Sequence, residues 1–116
     1  MLEGAVDSQF GIGDPEWNIY LEFRGYDAGT NLKSTSGWYE NGNGADLFGF
    51  SGLPGGDRHP YGVFYGSIGY CGLWWSSTEI NDNNAWHRYL YNVNPGVLRI
   101  IYPKDYGFSV RCLRDE

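Results

Sequence analysis

Two cysteines and two histidines are the side chains of this sequence best suited to chemistry, and their spacing suits little of it. Cys71 and Cys112 form no Cys-x-x-Cys pair. A single Cys71–Cys112 bridge stays open beside the reading of Cys71 as an incidental surface residue. Metal sites need three or four ligands at matched spacing, and His59 and His87 with these thiols make no such cluster. Serines and histidines occur without a Gly-x-Ser-x-Gly elbow, and no Gly-x-Gly-x-x-Gly or phosphate loop is present. Glu79, Asn81, Asp82 and Asn84 form an oxygen-rich loop of the kind hard cations want, but not at EF-hand spacing, and a solvated polar loop is the simpler reading. No catalysis, metal or cofactor is therefore expected.

What the chain offers in place of reactive groups is aromatic surface. In 85–93, successive side chains alternate between two faces of a strand. Trp86, Arg88, Leu90 and Asn92 share one face, while His87, Tyr89, Tyr91 and Val93 share the other. A half-buried strand ordinarily turns charges outward. Here one face instead carries a His–Tyr–Tyr–Val row, with Leu98, Ile100 and Tyr102 as a neighbouring row on the next strand. Tyrosine and histidine give large, rigid contact area with a polar tip, which suits a binding surface. The competing reading is that both faces are buried in a sandwich.

Size and charge narrow the classes. A chain of 116 residues suits one domain, and 41% hydrophobic residues suffice for a core. The 18 glycines and 18% aromatics favour short strands and turns over long helices. A net charge of −6 offers no basic patch for nucleic acid or an anionic membrane. No apolar run reaches the ~20 residues that span a bilayer. Met1-Leu2-Glu3-Gly4 lacks the regions of a signal peptide, which reads as an intracellular chain or as part of a longer one.

The elements that would position the aromatic rows follow from local signals. Val6 to Ile12 reads as a short edge strand. Asp14 is an N-cap with Pro15 at the first helical position, and Trp17, Tyr20, Leu21 and Phe23 supply an apolar stripe up to a stop at Gly25. A second helix fits 27–33, with Asp27 as cap and Ala28 and Leu32 inward. Trp38 plugs into the core from the 34–49 loop. Phe48, Phe50 and Leu53 alternate as a strand ended by Pro54-Gly55-Gly56. Strands are expected at 62–65, 73–78, 85–93, 97–102 and 108–113, with Asn94-Pro95-Gly96 as a turn. Trp17, Phe108 and Val110 are expected in the core, and Arg111 in an ion pair. Two short helices followed by short antiparallel strands make an α+β domain.

Four ordered motifs now stand out: Leu32-Lys33-Ser34-Thr35-Ser36-Gly37-Trp38, Gly49-Phe50-Ser51-Gly52-Leu53-Pro54-Gly55-Gly56, Trp74-Trp75-Ser76-Ser77-Thr78-Glu79 and Gly107-Phe108-Ser109-Val110-Arg111-Cys112. They resemble the Fibrobacter succinogenes major paralogous domain over about residues 14–114. The resemblance implies a C-type-lectin-like fold, shared with formylglycine-generating enzymes, and a place in bacterial surface chains. One motif departs. The family's Cys-Pro-x-Gly-Trp-His segment reads Ser8-Gln9-Phe10-Gly11-Ile12-Gly13 here, so the Cys that would partner Cys112 is missing. The calcium motifs of sugar-binding C-type lectins, Glu-Pro-Asn and Trp-Asn-Asp, are also missing. Trp74-Trp75 invites a sugar-stacking reading, although the family match implies that at least one of the two is core.

Some members resemble the variable proteins of diversity-generating retroelements, in which adenines of a C-terminal repeat are rewritten. That resemblance implies one domain over 1–116, with a scaffold half at 14–56 and a variable half at 57–112. The implied ligand-binding residues are His59, Tyr65, Tyr70, Leu73, Ile80, Asp82, His87, Tyr89, Tyr91, Val93, Leu98, Ile100, Tyr102, Asp105 and Tyr106. All of these types are reachable from an Asn codon by changing its adenines. The function expected is a non-enzymatic, retroelement-diversified binding domain, displayed at the cell surface or outside the cell as part of a receptor or adhesin, with a protein or cell-surface ligand. Two alternatives are a fixed envelope adhesion or carbohydrate-binding module and a degenerate enzyme of the formylglycine-generating kind.

Overall fold

The computed structural model describes residues 2–19, 21–62 and 67–112. Two short helices, α1 (Leu2–Val6) and α2 (Ala28–Leu32), lie against a four-stranded antiparallel sheet. Its strands are β1 (Phe23–Arg24), β2 (Cys71–Glu79), β3 (Asn84–Tyr91) and β4 (Val97–Pro103), in the order β1-β4-β3-β2. The domain is α+β, as its residue pattern implies.

The sheet has an inner and an outer face, and strand parity assigns every residue to one of them. Gly72 and Trp74 of β2, Arg88 and Leu90 of β3 and Val97 and Arg99 of β4 share the inner face. Against it pack Val6, Trp17, Ala28, Leu32 and Trp38, which form the core with Leu90 and Val97. Trp17 is fully buried, its indole N–H donating to the Gly11 carbonyl at 3.0 Å. Trp38 enters from its loop as expected, and its indole N–H reaches Ser34 Oγ and the Gly52 carbonyl, both at 3.1 Å. Gly29 is required where α2 meets the β3–β4 turn: a Cβ there would stand 2.2 Å from the Gly96 carbonyl oxygen.

The N-terminal segment is held by carboxylates. Glu3 of α1 is buried and binds two arginines, Arg24 of β1 through Nη2 at 3.1 Å and Arg88 of β3 through Nε. Burial alone raises the pKa of Glu3, but the Arg88 charge, hydrogen bonds and the Arg24 charge together bring it below the usual value. Asp7 accepts five backbone N–H groups: Gln9 and Phe10 on Oδ1, and Tyr26, Asp27 and Ala28 on Oδ2, at 2.8 to 3.0 Å. It thereby caps α2 from a distant part of the chain.

Several local expectations give way to these long-range ties. Residues 2–6 are helical, so no edge strand forms at Val6–Ile12. Asp14 does cap, accepting from Glu16 N at 2.9 Å, but only a 3-10 helix over Pro15–Asn18 follows. Ile19 is extended and Leu21 sits at φ 68, because the chain must turn back to pair Phe23 and Arg24 with β4. Asp27 occupies the N-cap position of α2 without a side-chain cap bond, since its carboxylate is taken by Ser8 N and Oγ. The 48–53 strand is replaced by turns with left-handed Asp46, Gly49 and Ser51, leaving Phe48 and Leu53 exposed and one bridge at Gly52. The expected strand 62–65 has residues 63–65 outside the described residues. In the 108–113 segment Ser109 alone bridges to the β2 edge at Trp74; residue 113 lies outside the described residues. Val110 is 73% exposed rather than core, and Phe108 is half-buried. Arg111 makes no ion pair among the described residues; it donates to the Phe50 carbonyl at 2.6 Å and lies over the Phe50 ring. Both cysteines are free, and Cys71 is buried rather than on the surface.

Two stability outcomes follow. Asp7→Ala leaves five N–H groups without their acceptor and should cost about 2–3 kcal/mol in urea unfolding, several times the cost of Asp27→Ala. Equal losses from the two variants would show that water replaces the Asp7 carboxylate. Glu3→Ala strands the buried Arg24 guanidinium and should cost about 3–5 kcal/mol. A loss below about 1 kcal/mol would remove the ion cluster from any structural role.

Candidate functional site

The outer face of the sheet is built by the odd-numbered residues of β2 and β3 and the even-numbered residues of β4. Cys71, Leu73 and Trp75 stand beside Tyr91, Tyr89 and His87, which stand in turn beside Leu98 (paired with Tyr89) and Ile100 (paired with His87). Ala85 pairs with Tyr102, and Phe23 extends the row on β1 beside Leu98. No helix packs on this side among the described residues; the loops around 57–62, 67–70 and 104–108 frame it. Reciprocal backbone bonds between Arg58 and Gly107, at 2.8 and 2.7 Å, clamp the first of these loops to the third.

Aromatic rings fill the face in two groups. At one end Trp75 meets Phe108 at 4.4 Å, Phe108 meets His87 at 4.7 Å, and Tyr102 meets Tyr106 at 4.9 Å. His59 continues the group, 5.1 Å from Tyr106 and 4.8 Å from Tyr61. At the other end Tyr89 lies 6.0 Å from both Phe23 and Tyr91. Edge-to-face and tilted pairs of this kind hold the rings in fixed directions. A separate pair, Tyr70 of the loop 67–70 and Tyr39, meets edge-on at 5.0 Å. Gly69 makes that contact possible: its φ is +92, and a Cβ would stand 2.5 Å from the Tyr39 ring.

Depth separates the fifteen residues named from sequence. Tyr70, Ile80, Asp82, Val93, Tyr102 and Asp105 are exposed. His59, Tyr89, Tyr91, Leu98, Ile100 and Tyr106 are half-buried, each with part of its surface open. Leu73 and His87 are not open at all, at 5% and 1% exposure, because the rings above them close over the sheet. They support the face from beneath and do not present themselves to a ligand. Tyr65 lies outside the described residues. Ile80 and Asp82 sit in the β2–β3 turn, beyond the ring clusters.

Sequence reasoning missed contributors to the same surface. Trp75 and Phe23 belong to it by strand parity, and the same alternation applied to the expected strand 73–78 puts Trp75 on the face of Leu73. Tyr61, 86% exposed and in ring contact with His59, lies in a loop, where no periodicity reports direction.

Burial holds three titratable groups of the face in their neutral forms. Burial pushes the His87 imidazole down to about 4, and the Arg88 charge adds to the shift. Its Nδ1 has no hydrogen-bond partner. Burial raises the Cys71 thiol and the Tyr89 phenol, and the thiol donates to the Ser67 carbonyl at 3.9 Å. A protonated, buried thiol is a poor nucleophile. Among the described residues, no group of three or more His, Cys, Asp or Glu is placed to hold a metal ion.

Taken together, the molecule is a small α+β domain whose helices cover one sheet face while loops and aromatic side chains dress the other. The chain belongs to the Fibrobacter succinogenes major domain family, whose profile matches residues 9–114. No curated protein and no solved structure matches it.

The buried imidazole generates a pH test. His87 is neutral in the folded state down to about pH 4 but takes a proton near 6.5 when unfolded. The unfolded state therefore binds more protons in this window, and stability falls as pH drops from 6.5 toward 4. The loss should reach about 2 kcal/mol by pH 5, at about 1.4 kcal/mol per pH unit. Glu3 and Asp7, whose pKa values are lowered from 4.5 and 3.8, contribute only at lower pH. Urea unfolding between pH 7 and 5 should show the slope in the parent protein and a flat profile in His87→Phe. A slope that survives the substitution assigns it elsewhere.

Proposed function

We propose that this is a non-enzymatic binding domain with a C-type-lectin-like scaffold that engages a protein or cell-surface ligand through the outer face of its sheet. One observation carries the reading: rings and aliphatics from β3, β4 and the loops at 59–61 and 106 lie together, partly open, on the side of the sheet opposite the core. Contiguous apolar surface of this kind marks interaction sites, and tyrosine-rich patches concentrate binding energy.

We further propose that the variable half is diversified by a retroelement and displayed outside the cell. Support comes from the family membership and from the chemistry of the positions, every one reachable from an Asn codon. The exposed and half-buried residues of the set, from His59 to Tyr106, form the paratope. A copy of codons 57–112 with Asn codons at those positions, beside a reverse transcriptase gene, is the expected finding at the source locus. A locus without it leaves a fixed adhesive or carbohydrate-binding domain.

The depth of each position sets a second expectation. Val93→Ser, Ile80→Ser and Tyr102→Phe, which keeps the ring over His87, should each change stability by less than about 1 kcal/mol, as surface substitutions do. Leu73→Ser should cost about 3 kcal/mol, from lost burial and a buried hydroxyl. Thermal or urea unfolding of the four variants checks this, and comparable losses at all four would mean that the outer face is a core and not a binding surface.

A further inference from the structure

On the opposite side of the sheet an open cleft of about 710 Å³ runs between α1, β2 and the segment 110–112. Its walls are mostly apolar, with Leu32, Phe50, Trp74 and Leu90 among them. The volume falls in the range of small-molecule sites, roughly 300–1,000 Å³. Two guanidinium groups, those of Arg88 and Arg111, also line it.

The charges here do not balance. Arg24, Arg88 and Arg99 stand near enough to one another for Arg88 and Arg99 each to depress the Arg24 pKa, which burial depresses most. Glu3 is the carboxylate that pairs with Arg24 and Arg88, and it accepts from both on a single oxygen, Oε1. Arg88 spends Nε on that bond. Its Nη1 is buried without an acceptor among the described residues, although the side chain as a whole is 29% exposed. That donor is closed to any ligand, but the open part of the side chain carries the same charge, and an anion in the cleft would compensate it.

We propose that this cleft binds a small amphipathic carboxylate, with the acid group on Arg88 and the apolar body along Trp74, Phe50 and Leu90. The guanidinium fork supplies the directional contact, and the walls supply the hydrophobic transfer. The site is independent of the outer face, which lies across the sheet.

Octanoate is the probe, titrated into the full chain below its micelle concentration, with octanol and octylammonium as uncharged and cationic counterparts. The Trp74 indole N–H and the Arg88 Nε–H are followed by ¹H–¹⁵N NMR. Saturable shifts of both signals with octanoate are expected, with octanol and octylammonium at least tenfold weaker. Arg88→Met keeps the Glu3–Arg24 pair and should weaken octanoate at least tenfold. Ser76→Phe, on the cleft wall and outside the ion cluster, should block binding while leaving the fold unchanged. The proposal is overturned if octanol binds as tightly as octanoate. It is equally overturned if either folded variant binds like the parent, if shifts appear on Tyr91 and Tyr102 instead, or if no saturation is reached.

Discussion

The structure depends on one buried carboxylate. Glu3 draws an arginine from the edge strand and an arginine from the central strand onto a helix of only five residues. A helix that short has no stability of its own in water. What keeps it in place is that Arg24 is 1% exposed and would be left charged in a nonpolar interior without Glu3. Arg24 also donates to the Trp17 carbonyl at 2.9 Å and the Val97 carbonyl at 3.3 Å, so the same guanidinium fixes the 3-10 helix and the first residue of β4. Such a cluster is worth little beside a well-packed apolar substitute. Its role is to make each alternative placement of these segments expensive.

That arrangement puts the fold's determinants on one side of the sheet. Lys33 shows the same logic at the other end of the core. Its ammonium lies over Trp38 and donates to the Tyr91 carbonyl at 2.9 Å and the Asn94 carbonyl at 3.3 Å. It therefore holds the end of β3 by backbone atoms alone, whatever side chains that strand carries. Asp7 likewise binds five backbone N–H groups, and Arg58 and Gly107 clamp two loops through main-chain bonds. Contacts to the main chain tolerate side-chain change, and the clamp between Arg58 and Gly107 ties two loops that frame the outer face.

The sheet was legible in the sequence because alternation is a local signal. The expected ranges 73–78, 85–93 and 97–102 fall within two residues of β2, β3 and β4 at either end, and the turn at Asn94-Pro95-Gly96 forms where its residue types put it. The first half was less legible. The stripe of Trp17, Leu21 and Phe23 looks helical because nothing local reveals that Arg24 must reach Val97 and Glu3. Asp27 has every property of a cap, yet Asp7 takes that function from outside the helix. For the site, strand parity gave the row from His87 to Tyr91 its direction but not its depth. Depth depends on Phe108 and Tyr106 folding back across the sheet from a segment whose own pattern looks like another strand.

Depth also limits what the outer face can vary. A side chain at the level of His87 must fit between Trp75, Tyr102 and Phe108, whose ring centroids lie 4.7 to 6.0 Å from its own. Close-packed interiors resist changes of even one methylene, so substitutions there alter the fold before they alter a ligand. Nearer the rim, Tyr91 is half-buried, and Val93 and Asp105 are exposed. A change at such a position alters shape and polarity at the surface and leaves the support intact. The outer face thus has a fixed floor and a changeable rim. A domain of this size can carry both because its core is already satisfied from the other side of the sheet.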